Sequence, residues 1–473
     1  MAKPRLTAGM ALLLAAGAAA AGDWELRAAA SARLSWTDNL RLTDTGEESG
    51  AVLELAPTLR ARRAGARLQV DASYRLQQYL YSEGLDQART WHQFQGRAAA
   101  ELVREYVFLD ASANYGQALI NPDGALPVGN LGITSNRTNV GSVSVSPYAR
   151  FRLGDAAVGT LRYRYARTYS GVAGTSSRSD VYSAQVASTA RFDRLGWSLG
   201  WTSSRRDYSG RPDFERDVAT ASLRLRVTPR LSLVASGGRE DNNYQRLPGT
   251  EKPEGTFWNA GLLWTPSRRT SIEARGGERF FGRTWLAKVS LRTRRAVVDA
   301  SYSEDLATVQ RLIEERQLFV LTDPFGNPIL IGGVPAVIEV SFPALTAEVF
   351  LRRRGTLSWN YRTGRSVLGL GLYDERREYQ TTAETERIRG GRASWEWRLA
   401  RRTRSVLGYR HQLRDRRGAA GEDRLRSLSW TLSRSMRPDL SGTLTLRHVR
   451  RDGDGAVREY RQNVITLGVT ATF

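Results

Sequence analysis

The chain is expected to be all-β, a single antiparallel sheet closed into a transmembrane up-and-down barrel. Three observations predict it: apolar and polar residues alternate over most of the length, an export leader stands in front, and the chain ends "NVITLGVTATF". In that ending Ile465, Leu467, Val469, Ala471 and Phe473 share one phase, opposite Val464, Thr466, Gly468, Thr470 and Thr472. Successive strand residues point to opposite faces, so the last strand has one apolar side and one small, mostly polar side.

The leader comes first. "MAKPR" is basic, "LTAGMALLLAAGAAA" is apolar, and small residues surround Ala21, which reads as a secretory signal peptide over residues 1–21. The short apolar core and Ala-rich end argue against an uncleaved anchor. Residues 22–473 then form one barrel domain. No later stretch approaches the roughly 20 continuous apolar residues of a spanning helix. A mean hydropathy of −0.43 would pass for a water-soluble chain, but membrane strands hide their apolar residues in alternation. Cysteine is absent, so stability rests on a core or on closure of the sheet, without disulfides or thiolate metal sites. Basic residues outnumber acidic ones 70 to 48, a net charge of +22. That excess implies anionic surroundings or cargo, which could be lipid phosphate, acidic polysaccharide or nucleic acid. Export disfavours nucleic acid most, so no nucleic-acid partner is expected.

The strands follow. "ARLQVDASYRLQ" alternates Leu68, Val70, Ala72, Tyr74 and Leu76 with Gln69, Asp71, Ser73, Arg75 and Gln77. "VGTLRYRYA", "ATASLRLRV", "LSWTLS" and "SGTLTLRH" repeat the device, and no amphipathic helix exceeds two turns. Short connections at 62–67, 152–157, 228–230, 265–269, 362–365, 400–403 and 436–439 alternate with long ones at 37–50, 120–136, 169–180, 245–255 and 451–459. Short periplasmic turns and long extracellular loops are the layout of an outer-membrane barrel, here with about 22 strands (range about 18–24). Backbone groups in hydrocarbon must pair within the protein, so such a sheet has to close on itself.

Aromatic residues are expected at the membrane interfaces. Tyr79, Tyr81, Tyr169, Tyr208, Tyr244, Tyr302 and Tyr379 precede long loops, and Trp197, Trp264, Trp285, Trp395, Trp397 and Trp430 occupy the outward phase. A soluble β-sandwich would need two or three domains at this length, and no linker is visible. The connection 311–345 is long and apolar in places, with Pro324, Pro328, Pro335 and Pro343. It is expected to be ordered, folded inward as a constriction or packed over the mouth; the alternative is an extracellular hairpin without a gating role.

The phase opposite the apolar one lines the lumen. It carries Arg60, Arg62, Arg67, Arg150, Arg152, Arg224, Arg226, Arg292, Arg294 and Arg398 near short turns, and Arg75, Arg162 and Arg164 further up. Guanidinium stays charged at any physiological pH, so such a wall favours anions unless neighbouring carboxylates such as Asp71, Asp110 and Asp299 neutralise it. A second basic set, Arg205, Arg206, Arg376, Arg377, Arg414, Arg416, Arg417, Arg450 and Arg451, lies near the outer rim, where lipopolysaccharide phosphates are the ordinary partner. No zinc-helix motif, phosphate-binding glycine loop or other cofactor signature is present. His411 near Asp415 is the one local candidate for a hydrolase, and that reading is weak. A plugged energy-coupled transporter shares the strand number, but needs an N-terminal plug domain, and here the strand pattern starts at Trp24.

The start "SARLSWTDNLRLTDTGEESGAVLELAPTLRAR", the "LTDPFGNPI" loop, the strand "TGRSVLGLGLYDERREYQ" and the aromatic C-terminus resemble the PEP-CTERM-system-associated outer-membrane proteins. The resemblance runs along the whole chain. It implies a non-enzymatic barrel beside exosortase-dependent protein sorting and exopolysaccharide secretion, and transfers no catalytic residues. The expected partners are outer-membrane lipid and lipopolysaccharide, the barrel-assembly machinery reading the C-terminal pattern, and an anionic polysaccharide. The expected function is an accompanying or conducting barrel with an anion-favouring lumen; a closed structural barrel or a general porin is the alternative.

Overall fold

The computed structural model describes residues 24–82, 88–121, 123–127, 129–172, 175–209, 211–244, 253–308, 330–331, 334–335, 349–382, 384–417, 420–454 and 458–473. The expected signal peptide and nearly all of 311–345 therefore lie outside the described residues. Strands β1 (Trp24–Thr37), β2 (Gly50–Ala64), β3 (Leu68–Tyr81), β4 (Arg89–Val103), β5 (Val107–Leu119), β6 (Arg137–Leu153), β7 (Ala157–Ser170) and β8 (Ser177–Ser188) open the chain. Then come β9 (Leu195–Tyr208), β10 (Arg211–Thr228), β11 (Leu231–Asn243), β12 (Gly255–Ser267), β13 (Thr270–Arg279), β14 (Gly282–Arg292) and β15 (Ala296–Thr308). After a separate two-stranded hairpin, β16 (Leu330–Ile331) and β17 (Val334–Pro335), the series resumes with β18 (Val349–Arg362), β19 (Ser366–Tyr379), β20 (Thr385–Ala400) and β21 (Thr403–Arg417). It ends with β22 (Ala420–Ser435), β23 (Leu440–Gly453) and β24 (Tyr460–Thr472).

Each strand of the main sheet pairs antiparallel with the next, giving 22 strands. Closure comes from β1 against β24, in register from Ala29↔Thr472 to Thr37↔Val464. Ala28 and Phe473 extend that seam by exchanging amide–carbonyl hydrogen bonds of 3.3 and 2.7 Å. Among the described residues the sheet has no free edge strand to template aggregation, and the ladders are interrupted locally where prolines stand, at Pro57 and Pro147.

The two faces invert the soluble pattern. Leu34, Leu199, Leu223 and Leu467 are more than half exposed on one phase, whereas Glu54, Gln77, Arg377 and Gln462 are buried on the other. A polar, partly filled interior and an apolar exterior place the wall in lipid. Ile465, Leu467 and Val469 face outward as the C-terminal pattern requires, and Phe473 is exposed at the base. The outward band is finite. On β9 it runs Leu195, Trp197, Leu199 and Trp201 before Ser203, Arg205 and Asp207; on β20 it runs Leu399, Trp397, Trp395, Ala393 and Gly391 before Arg389 and Arg387. Trp395 and Trp430 lie in its short-turn half, their indole N–H groups donating to Ser366 and Ser405 Oγ at 3.3 and 3.0 Å.

Two expectations are corrected. Connections at the long-loop end are not uniformly long: β13 and β14 are joined by residues 280–281 alone, and only residues 209–210 separate β9 from β10. Strands such as the 18-residue β10 carry the wall above the lipid band instead. The tyrosines do not form one outer girdle. Tyr169 is exposed to the outside, whereas Tyr79, Tyr208 and Tyr244 are buried, and Tyr379 packs on Phe350 in the inward phase. Tyr79 and Tyr81 pack around Leu40, and Tyr244 packs with Leu306 and Val349.

Candidate functional site: the loop-filled mouth and the arginine wall

Two connections turn inward at the outer mouth, residues 38–49 after β1 and residues 120–136 after β5. Leu40 packs with Val52, Tyr79 and Ile133, with Trp91 and Leu131 alongside. Leu42 packs with Ala125, Val449 and Tyr460. Leu42 holds a φ of 54°, a region costly for a bulky side chain, and its side chain is fully buried. The contacts of the burial pocket hold that backbone in place. The loops join each other through Ile133 N–H to Leu40 C=O, 2.8 Å.

The barrel wall fastens both loops. Asn39 Nδ2 donates to Arg461 C=O at 2.9 Å, and Gln462 Nε2 donates to Asn39 C=O at 2.9 Å. Tyr81 and Tyr460 hydroxyls donate to Leu131 and Leu126 carbonyls at 3.2 and 2.8 Å. Asn130 donates to Gln77 Oε1 at 2.8 Å. Asp123 reaches past the β24–β1 seam to β21, accepting from Arg414 at 2.6 Å and Arg416 at 3.1 Å.

Behind Asp123 lies a chain of buried ion pairs. Arg414 also donates to Glu386, which accepts from Arg377 at 2.9 Å, and Arg377 continues to Glu375 at 2.6 Å. Arg451 clasps Asp423 with two bonds of 2.8 Å. Glu386 stands five residues beyond Gly391, above the lipid band. Burial pushes its carboxyl up, but Arg377, Arg414 and Arg416 outweigh that and hold it below the usual carboxylate range. Removing one partner from such a pair strands the other in a poor solvent.

Below the mouth, the register places Arg60, Arg62, Arg150, Arg152, Arg162, Arg164, Arg224, Arg226, Arg292 and Arg398 in the inward phase. Arg67 and Arg294 sit instead in the short turns outside the strands. Local neutralisation is real but incomplete. Arg60 is bidentate on Asp71 at 3.2 and 2.6 Å, Arg162 bonds Asp110 at 2.9 Å, and Arg226 pairs with Asp193. Arg224 reaches Ser232 Oγ at 3.4 Å, and Arg150 lies over the Phe108 ring at 5.2 Å. Among the described residues, Arg62, Arg150, Arg152, Arg224, Arg292 and Arg398 have no carboxylate within 4.0 Å.

One part of this wall is concave. A depression of about 540 Å³ brings Arg62, Arg97, Arg162 and Arg164 together with Asp71 and Asp110 over Ser112, Ser144 and Ser146 hydroxyls. Arg97 was not singled out in the sequence because "GRAAAEL" is Ala-rich and its alternation is faint. Its pairing with Asp71 and Ser112 in the ladder is the signal that places it. The rim set divides. Arg376 and Arg450 face outward, whereas Arg377, Arg414 and Arg451 are buried in the lumen network. Arg414 and Arg451 fasten the 120–136 loop through Asp123 and Gly124, and Arg377 supports them through Glu386. His411 and Asp415 both point outward four positions apart on β21, about 13 Å along the strand, so they form no catalytic pair.

Wall, lipid band and filled mouth define a bacterial outer-membrane β-barrel. The sequence matches no family model and no curated protein. Solved structures match throughout the fold. The ferric-catecholate import receptor Fiu from E. coli K12 is 10% identical, with 95% of this chain and 82% of that chain covered and a TM-score of 0.54. The siderophore receptor PirA from Acinetobacter baumannii is 8% identical over 94% and 80%, at 0.53. The FrpB iron transporter from Neisseria meningitidis is 9% identical over 98% and 83%, at 0.52. At these identities the likeness is one of architecture, a barrel of the outer membrane.

Proposed function

We propose that the chain is a non-enzymatic outer-membrane barrel of exopolysaccharide export and the associated PEP-CTERM surface-protein system, whose lumen favours anions. The carrying observation is the concave wall where Arg62, Arg97, Arg162 and Arg164 outnumber Asp71 and Asp110 over three serine hydroxyls. Guanidinium groups take carboxylate or phosphate, and hydroxyls take sugar oxygens, so the surface suits an acidic saccharide passing along it. An always-charged wall of low dielectric concentrates anions and repels cations.

In planar bilayers the purified barrel is expected to pass anions in preference to cations. Arg62→Glu together with Arg164→Glu should flatten or reverse that preference. Cation preference in the parent protein would overturn the reading. The polymer itself is tested by deleting the gene and assaying surface polysaccharide, which should fall.

A second reading, a closed structural barrel, draws on the two loops fastened across the mouth. It expects no conductance from the parent or from a variant whose loops are released.

A further inference from the structure

Outside the barrel, β18 to β22 carry a feature that the lumen does not use. A groove of about 690 Å³ runs along the lipid-facing wall, with Leu357, Leu370, Leu372 and Leu413 on its sides and Gly355 and Gly391 in its floor. Asp374, Arg389 and His411 stand at its outer end, and Arg426 stands beside it next to His411. At Gly391 an added Cβ would stand 2.9 Å from Leu372 Cδ2, so the floor is open only because the side chain is missing. The groove lies at the outer end of the apolar band, directly beneath the first charged row.

That row contains unspent cations. Arg387 binds Asp374 with bonds of 3.2 and 2.6 Å, and Arg424 binds Glu422 at 2.8 Å. Arg389 and Arg426 have no acidic partner within 4.0 Å, although Asp415 lies nearby on the same face. Between them stands His411, level with Gly391 on one side and Arg426 on the other. Its Nδ1 is buried and has no hydrogen-bond partner.

We infer that this groove holds one lipopolysaccharide molecule, an acyl chain lying in the leucine-walled channel and a lipid A phosphate seated against Arg389 and Arg426. The occupant is fixed by position and charge. A chain-shaped apolar trough under unpaired guanidinium groups needs an anionic headgroup with its tail attached, and the outer leaflet supplies that as lipopolysaccharide. His411 Nδ1 lies where a headgroup hydroxyl or phosphate oxygen would meet it. The site is independent of what the lumen carries.

The test measures binding of purified lipopolysaccharide to the folded barrel in neutral detergent, with inorganic phosphate and phosphatidylcholine as further probes. Arg389→Ala with Arg426→Ala should weaken lipopolysaccharide about thirty-fold, the loss of two near-surface cations. Ala393→Trp should weaken it comparably by filling the groove while leaving both arginines in place. Folding is checked by heat-modifiable gel migration, and Arg389→Lys should bind nearly as the parent if the double variant does not fold. Equal lipopolysaccharide binding by parent and groove variants would overturn the inference. So would inorganic phosphate competing as well as lipopolysaccharide, or phosphatidylcholine binding as tightly.

Discussion

Asp123 is the residue on which the filled mouth turns. It is the one carboxylate of the 120–136 loop and it reaches Arg414 and Arg416 on a wall far along the chain. Asp123→Ala should take one carboxylate from both guanidinium groups, which keep Glu386, at about 1–3 kcal/mol for a charge-assisted hydrogen-bond partner removed. The loop should then leave the mouth. Single-channel conductance is expected to rise, and the 120–136 segment to become protease-sensitive from outside; an unchanged conductance would favour the closed structural barrel. Glu386 adds a pH dependence with a definite sign. Its folded-state pKa is depressed, so its stabilisation is fully present above the unfolded carboxylate value and is lost only as pH falls through the folded value. Conductance should therefore stay flat from neutral pH down to the ordinary carboxylate range and rise only in stronger acid. Glu386→Gln should raise it already at pH 7, because Arg377 and Arg414 lose their charged acceptor.

At the scale of elements, the strands were legible because a period of two needs no partner to be seen. Ile465, Leu467 and Val469 announce an outward face from their spacing alone, and the structure seats them on lipid. Leu467→Arg puts a charge on that face near the middle of the band and should cost about 2–4 kcal/mol, measured as a lower urea midpoint for the barrel in vesicles. The loops were not legible in the same way. Residues 38–49 and 120–136 read as polar surface connections, and their inward turn depends on Tyr460, Gln462 and Arg451, more than 300 residues from the loops they meet. The tyrosines misled for the same reason: one ahead of an outer loop can face lipid or fold back under that loop, and alternation assigns the face only when its strand register is known. The arginine wall was readable from phase, but the sharing of carboxylates was not. Asp71 stands opposite Arg62 in the ladder and yet spends both oxygens on Arg60.

Among the described residues of the whole molecule, lumen charges are more completely paired toward the outer mouth than toward the short turns. Toward the outer mouth, Glu54, Glu240, Glu375, Glu386 and Asp423 each hold one or more arginines, so the cations there are matched by buried carboxylates. Toward the short turns, Arg62, Arg150, Arg152, Arg224, Arg292 and Arg398 face the lumen without one. If the barrel conducts as proposed, a lumen more completely neutralised at one end than at the other makes it asymmetric, because anions accumulate where the fixed charge is free and become depleted or enriched with the sign of the voltage. The barrel should accordingly rectify in symmetric salt. The asymmetry should be strongest at low ionic strength, where the screening length is about 30 Å at 0.01 M, and fade toward 1 M, where it is about 3 Å. Replacing Arg150, Arg152 and Arg398 with Gln removes half of the unpaired set without touching the mouth and should bring the two current branches together. A linear current–voltage curve for the parent at low salt would show that the free guanidinium groups do not govern the pore.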